Sequence, residues 1–103
     1  MKYSSRIFKS LSHPIRRQIL QELKDGELSA GEIVSRFEIS GPSISRHLAL
    51  LGSADLISER REANRILYRV EADNLTAALN DFLSAVCPSQ IKHRRKGLKR
   101  RTI

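Results

Sequence analysis

The segment Ser40 to Leu51, SGPSISRHLALL, leaves the chain few options. Wound as a helix at about 100° per residue, it gathers Ile44, Leu48 and Leu51 on one narrow stripe and turns Ser45, Arg46 and Ala49 to the other side. A helix that only covers a core normally carries long charged residues outside, which keep it soluble and pair along its surface. Here the outer face is thin, able to hydrogen-bond, and holds a single fork-shaped donor. Such a face suits the major groove of DNA, which is about 12 Å wide and displays a readable pattern of donors and acceptors.

The full sequence of 103 residues supports one small domain. A chain of this length buries roughly 60 to 65% of its unfolded surface, so it has little core to spare. With five aromatics and no tryptophan, that core must be mostly Leu, Ile and Val, which favours helices packed with a modest sheet. No apolar run approaches the ~20 residues that cross a bilayer, and none follows the initial Met-Lys as a signal peptide; a cytoplasmic protein without membrane insertion is expected. The lone Cys87 excludes an internal disulfide framework. Charge is unevenly spread. Residues 1–90 hold 12 Lys and Arg against 11 Asp and Glu, whereas residues 91–103 hold 7 Lys and Arg and no acid. The excess of +8 is therefore almost entirely a tail, which is either solvated chain or an arm for phosphates. The expected division is a folded unit over 1–88 and a basic, flexible tail over 89–103.

Along the chain, Tyr3, Ile7, Phe8 and Leu11 recur at helical spacing, predicting a helix over 3–12 that closes at His13-Pro14. Pro14 opens a second helix, with Ile15, Ile19 and Leu23 inward and Arg16 and Arg17 outside, up to the stop at Asp25-Gly26. Ser29 and Glu32 have the capping-box spacing ahead of Ile33, Val34 and Phe37, and Ser40 repeats the capping device before Pro42. Two short capped helices joined only by Glu38 to Ser40 must cross steeply, as in a helix-turn-helix. After Ile57 the period falls to 2: Ile57, Ile66, Tyr68 and Val70 alternate with Ser58, Leu67 and Arg69 around Glu62-Ala63-Asn64-Arg65. This is a hairpin with Arg60, Arg61 and Arg65 near its tip and Asn64 suited to a left-handed turn. Asp73 caps a last helix, whose Leu75, Leu79, Phe82, Leu83 and Val86 form a stripe until Pro88.

Four helices, a hairpin and an amphipathic helix in that order predict a mainly α fold with a small β-hairpin, a winged helix-turn-helix of about five helices and a two-stranded wing. In that layout the fourth helix enters the major groove of double-stranded DNA, while the wing and the helix N-termini meet phosphates. The last helix has too wide an apolar stripe for the first helix alone to cover. A homodimer interface of Ile7, Phe8, Leu11, Leu75, Leu79, Phe82, Leu83 and Val86 is expected, which sets two reading helices about one DNA turn, ~34 Å, apart on an imperfect palindrome.

SHPIRRQIL, ELSAGEIVSRF, SGPSISRHL, LLGSADLI and ISERREANRILYRV, in that order, resemble the ArsR family of bacterial winged-helix repressors, in particular its metal-independent autorepressor branch. The resemblance spans roughly residues 5–87. It implies a homodimer that represses by blocking a promoter, with Ser45 and Arg46 as base readers and Pro42 and Ser43 ahead of them. Ser29, Ser40, Gly41, His47, Arg60, Arg61, Asn64 and Arg65 are the further expected contacts to phosphate or from the wing. His47 falls toward the packed side of its helix and suits a place at the core edge better than a base contact. Gly41 stands where the family often has glutamine, while Asn64 and Asp55 stand where it often has glycine. ELSAGEI lacks the cysteines that metal-binding members carry there, and the last helix lacks their paired ligands, so neither metal nor cofactor is expected; a zinc site needs three or four clustered donors. Release from DNA would then fall to a sequestering protein partner or to the protein's own concentration. Two other readings stay open: a metal- or small-molecule-sensing repressor with a non-standard site, and a non-specific nucleic-acid-binding protein that uses its tail. Three histidines and dispersed acids assemble no catalytic arrangement, so an enzyme is not expected.

Overall fold

The computed structural model of the protein describes residues 2–89, with side chains from residue 5. The basic segment, apart from residue 89, lies outside the described residues. The elements run α1 (Lys2–Leu11), α2 (Pro14–Glu22), β1 (Leu28–Ser29), α3 (Ala30–Val34), α4 (Gly41–Ser53), β2 (Ile57–Glu62), β3 (Arg65–Val70) and α5 (Ala72–Val86). No helix among them is long and apolar enough to cross a membrane. Ile19, Leu23, Ile33, Ile44, Leu51 and Leu56 are the largest fully buried side chains, so the core lies where α2, α3 and α4 meet the start of the sheet. Ile44, Leu48 and Leu51 are all buried in it, as their shared stripe predicts.

Local chemistry sets the helix starts. Ser29 and Glu32 form the complete capping box of α3: Glu32 N–H donates to Ser29 Oγ at 3.1 Å and Ser29 N–H donates to Glu32 Oε1 at 2.7 Å. Ser40 Oγ accepts from Ser43 N–H at 3.2 Å, and Pro42 lies in the first turn of α4. His13 is also a cap, because its Nδ1 accepts from Ile15 N–H at 3.1 Å ahead of Pro14. Asp73 is not one. The helix α5 begins two residues earlier than that cap implies, with Glu71 at the cap position and no side-chain cap bond, because Glu71 instead accepts from the Ser58 hydroxyl and from Arg69.

The wing is the edge of a three-stranded antiparallel sheet, ordered β1-β3-β2. Leu28 pairs with Tyr68 and Ser29 with Leu67, a two-residue strand too short for any periodicity to reveal. Leu67 is buried rather than outward: it lies on the middle strand, paired with Ser29 of β1 on one side and with Arg60 of β2 on the other, and Arg60 grips Glu27 beside β1. The hairpin pairs Glu62 with Arg65, leaving Ala63 and Asn64 as a two-residue turn. The left-handed position falls on Ala63, at φ 57°, and not on Asn64. A two-residue turn that matches strand twist places positive φ at its first residue, whatever that residue is. Asp55, at φ 60°, does take the left-handed form after α4.

Two expectations about side chains fail. Arg16 is buried, and the reason lies in its own angle: at about 100° per residue it falls between Ile19 and Leu20 on α2, within the apolar arc. Ile7, expected at an interface, is also buried, in the chain's own core. On α5 only Ala78 is fully buried; Phe82, Leu83 and Val86 stay exposed, with Phe82 edge-on to Phe8 at 4.9 Å between ring centres. Leu11 and Leu75 are half-buried against the core, and Leu79 is half-buried.

A Cβ in the left-handed region costs roughly 1 to 2 kcal/mol, partly offset in glycine by the entropy it loses on folding. Ala63→Gly is therefore expected to stabilise the fold by up to about 1 kcal/mol, read as a higher midpoint in thermal or urea unfolding; an unchanged or lower midpoint would count against strain at this turn.

Candidate nucleic-acid interface

Burial of its narrow stripe leaves α4 with an open outer face. Pro42, Ser45, Arg46 and Ala49 are exposed, whereas Gly41, Ser43 and His47 are half-buried. Among the described residues the Arg46 guanidinium makes only a long contact of 3.4 Å to Ser43 Oγ, leaving most of its donors free for another acceptor. Ser43 also accepts a 3.0 Å bond from the Ser40 hydroxyl, so the first turn forms one small polar group. Ser45 borders a groove of about 370 Å³ between α4 and the wing, walled on the sheet side by Ile57, Ser58, Glu59 and Tyr68.

The wing arginines, grouped together by sequence, differ in what holds them. Arg60 grips Glu27 with two nitrogens at 2.8 to 3.2 Å. That hydrogen bond holds the Glu27 carboxyl below its usual range and raises the Arg60 guanidinium. Arg65 bonds Glu62 at 3.2 Å across the turn. Arg61 has no ion pair or hydrogen bond among the described residues, and its strand position puts it on the face of Ile57, Glu59 and Tyr68, the side of the sheet that borders α4. Arg61 is the wing cation most available to a phosphate. Asn64 is exposed at the tip. Ser29 is not available: it is buried, with its hydroxyl and amide both engaged in the cap of α3.

His47 occupies the core edge expected from its angle. Its Nδ1 lies 3.2 Å from Arg16 Nη1, and its ring meets that of His13 at 4.5 Å. A guanidinium only donates, so Nδ1 accepts and the ring proton belongs on Nε2. Burial lowers the His47 pKa, helped by the neighbouring His13, Arg16 and Arg46. Arg16, the residue that sequence reasoning placed outside, completes the cluster by donating from Nε to the Ser10 carbonyl at 2.7 Å and from Nη2 to the Lys9 carbonyl at 3.1 Å. Its helical angle was the available signal; the general rule that arginine stays outside masked it.

The far end of α4 is held too. Arg6 of α1 donates to the Ser53 carbonyl at 3.0 Å and Asn74 of α5 donates to the Asp55 carbonyl at 2.8 Å. Among the described residues no three His, Cys, Asp or Glu side chains gather as a metal site, and Cys87 is half-buried at the end of α5.

A helix-turn-helix domain family model matches residues 11–60. The chain is 41% identical over 80 residues to the transcriptional repressor SdpR of Bacillus subtilis, covering 78% of this chain and 89% of that one. It belongs to the ArsR family of winged helix-turn-helix regulators. Among solved structures of this family's fold, HlyU from Vibrio cholerae matches with a TM-score of 0.67 at 31% identity, over 84% of this chain and 92% of that one. An ArsR-like regulator from Rhodococcus sp. RHA1 matches in fold with a TM-score of 0.76 at 24% identity, over 96% and 92%. The chain is thus a DNA-binding transcriptional regulator, in a family of regulators and not of enzymes.

For His47 the native state binds fewer protons than the unfolded chain between its lowered pKa and the ordinary value of 6.5. Stability therefore rises with pH across that window and is lost on acidification through it. Urea unfolding of wild type and His47→Asn from pH 7.5 to 5 is expected to show a steeper acid loss in the wild type; equal slopes would remove His47 from the titration.

Proposed function

We propose that the protein is a dimeric repressor that reads an imperfectly palindromic operator with α4 and grips phosphates with the wing. The open face of α4 carries this reading: Ser45 and Arg46 sit on a helix whose other side is locked into the core, with few bonds of their own. Arginine meets guanine in the major groove by two parallel donors, and a good pair of this kind discriminates against the wrong base by about 1 to 3 kcal/mol. Arg61 supplies a phosphate contact that carries no sequence information. The chain is similar over most of its length to a protein named as a transcriptional repressor, which favours blocking a promoter as the output.

Dimerism is proposed from α5. Phe82, Leu83 and Val86 are 40%, 42% and 59% exposed, and they form a contiguous face with half-buried Phe8 and Leu79. Grouped apolar side chains at this exposure mark an interaction surface, and a two-fold pairing covers such a face with its own copy. The same two-fold axis would relate the two α4 helices, as a palindromic operator requires.

Fluorescence anisotropy on a duplex enriched by the protein from a random pool tests the assignments. Arg46→Ala is expected to lose about 1 to 3 kcal/mol on that duplex and much less on random DNA; equal losses on both would remove Arg46 as a reader. Arg61→Ala is expected to weaken both DNAs alike and to lower the salt slope by about 0.9, with a smaller effect from Arg60→Ala because Glu27 already holds that side chain. In sedimentation velocity, the wild type is expected as a dimer and Phe82→Glu/Leu83→Glu as a monomer. A monomeric wild type at micromolar concentration would contradict the symmetric reading.

A further inference from the structure

Arg16 is the one buried charged side chain among the described residues, and it carries no ion pair. A charge is costly to bury unless its donors are satisfied, so the acceptors around this one describe what it is for. Two are the Lys9 and Ser10 carbonyls in the last turn of α1, where the helix dipole is negative; the Lys9 carbonyl also accepts from the Ser12 amide and hydroxyl. Arg17 adds a bond of 2.7 Å to the Leu11 carbonyl. The third acceptor of Arg16 is His47 Nδ1, on α4, immediately after Ser45 and Arg46. One planar guanidinium therefore ties the end of α1 to the middle of α4. Phe8 places α1 against α5, beside the exposed apolar face.

We infer that Arg16 and His47 are positioning residues that fix the angle of the reading helix relative to the dimer face, and so set the half-site spacing the dimer accepts. The inference builds on the dimeric reading above. Geometry favours it over a purely structural role. The core already holds α4 by Ile44, Leu48 and Leu51, but an apolar stripe of three residues allows small rotations about the helix axis, which directional bonds resist. Rotation of α4 would swing Ser45 and Arg46 across the groove while leaving the core packed. The Arg6 bond to the Ser53 carbonyl gives α1 a second hold at the end of the same helix.

Protonation of His47 would convert its Nδ1 from acceptor to donor against Arg16 and break the tie. The charged or titratable groups facing the ring are His13 and Arg16 from α2 and Arg46 on α4 itself, all cationic or able to become so; from α1 the neighbours are the Lys9 and Ser10 carbonyls, reached through Arg16.

The test compares the full-length wild type, His47→Asn, whose side-chain oxygen can replace the Nδ1 acceptor, and His47→Leu, which has none. Each is titrated by anisotropy with the enriched duplex and with versions whose two half-sites are moved apart or together by one base pair, alongside a single half-site. The wild type and His47→Asn are expected to prefer the native spacing by at least about tenfold, about 1.4 kcal/mol, and His47→Leu to fall to about threefold or less. Affinity of all three for the single half-site should agree within about twofold, the result a mere folding defect would not give. Full spacing preference in folded His47→Leu would overturn the inference, as would its loss in His47→Asn. A wild type indifferent to spacing would overturn the dimeric reading together with this inference. If His47→Leu does not fold, the pH profile decides: in a His13→Asn background, which keeps the α2 cap acceptor, spacing preference is expected to fade on acidification with His47 and to persist with His47→Asn. Identical profiles would overturn the inference.

Discussion

Burial of one side of α4 is the constraint on which the rest depends. Ile44, Leu48 and Leu51 are each no more than 4% exposed, and the buried residues of α2 and α3 and Leu56 close around them. Burying a Leu or Ile side chain contributes about 1.5 to 3 kcal/mol, so these three alone weigh against a total stability of about 5 to 15 kcal/mol for a domain. The helix cannot leave the core without unfolding the protein. The same burial turns the small polar face outward, so the interaction that stabilises the fold also exposes the surface proposed to meet DNA.

Polar chemistry then refines what apolar burial leaves loose. The start of α4 is capped by Ser40, its middle is tied to α1 through His47 and Arg16, and its end is held by Arg6 and Asn74. On the wing, the acids sort the cations: Glu27 holds Arg60 and Glu62 holds Arg65, which leaves Arg61 without a partner among the described residues. A described body with nearly balanced charge can thus present cations locally, by pairing some arginines and leaving others open.

Much of this was legible in the sequence because the signals were local and repeated. The Ser29–Glu32 box, the Ser40 cap and the three-residue stripe of α4 all follow from spacing, and each is where spacing put it. What escaped depended on pairing across the chain. The strand β1 is two residues long and exists because β3 lies beside it; Leu67 is buried on the middle strand between β1 and β2; and Ala63 takes the left-handed turn because the register pairs Glu62 with Arg65. Arg16 is a different case. Its angle within the α2 stripe was readable, and only the carbonyls at the end of α1 make burial of its charge tolerable. The face of α4 was therefore visible from residues alone, whereas the parts that aim it were not.

Hydroxyl-radical footprinting of the protein on its enriched duplex tests the central claim most directly. Two α4 helices entering successive major grooves from one side predict two protected segments, related by a dyad and centred about one turn, ~34 Å, apart. A single protected segment, or continuous protection without symmetry that fades uniformly with salt, would contradict it.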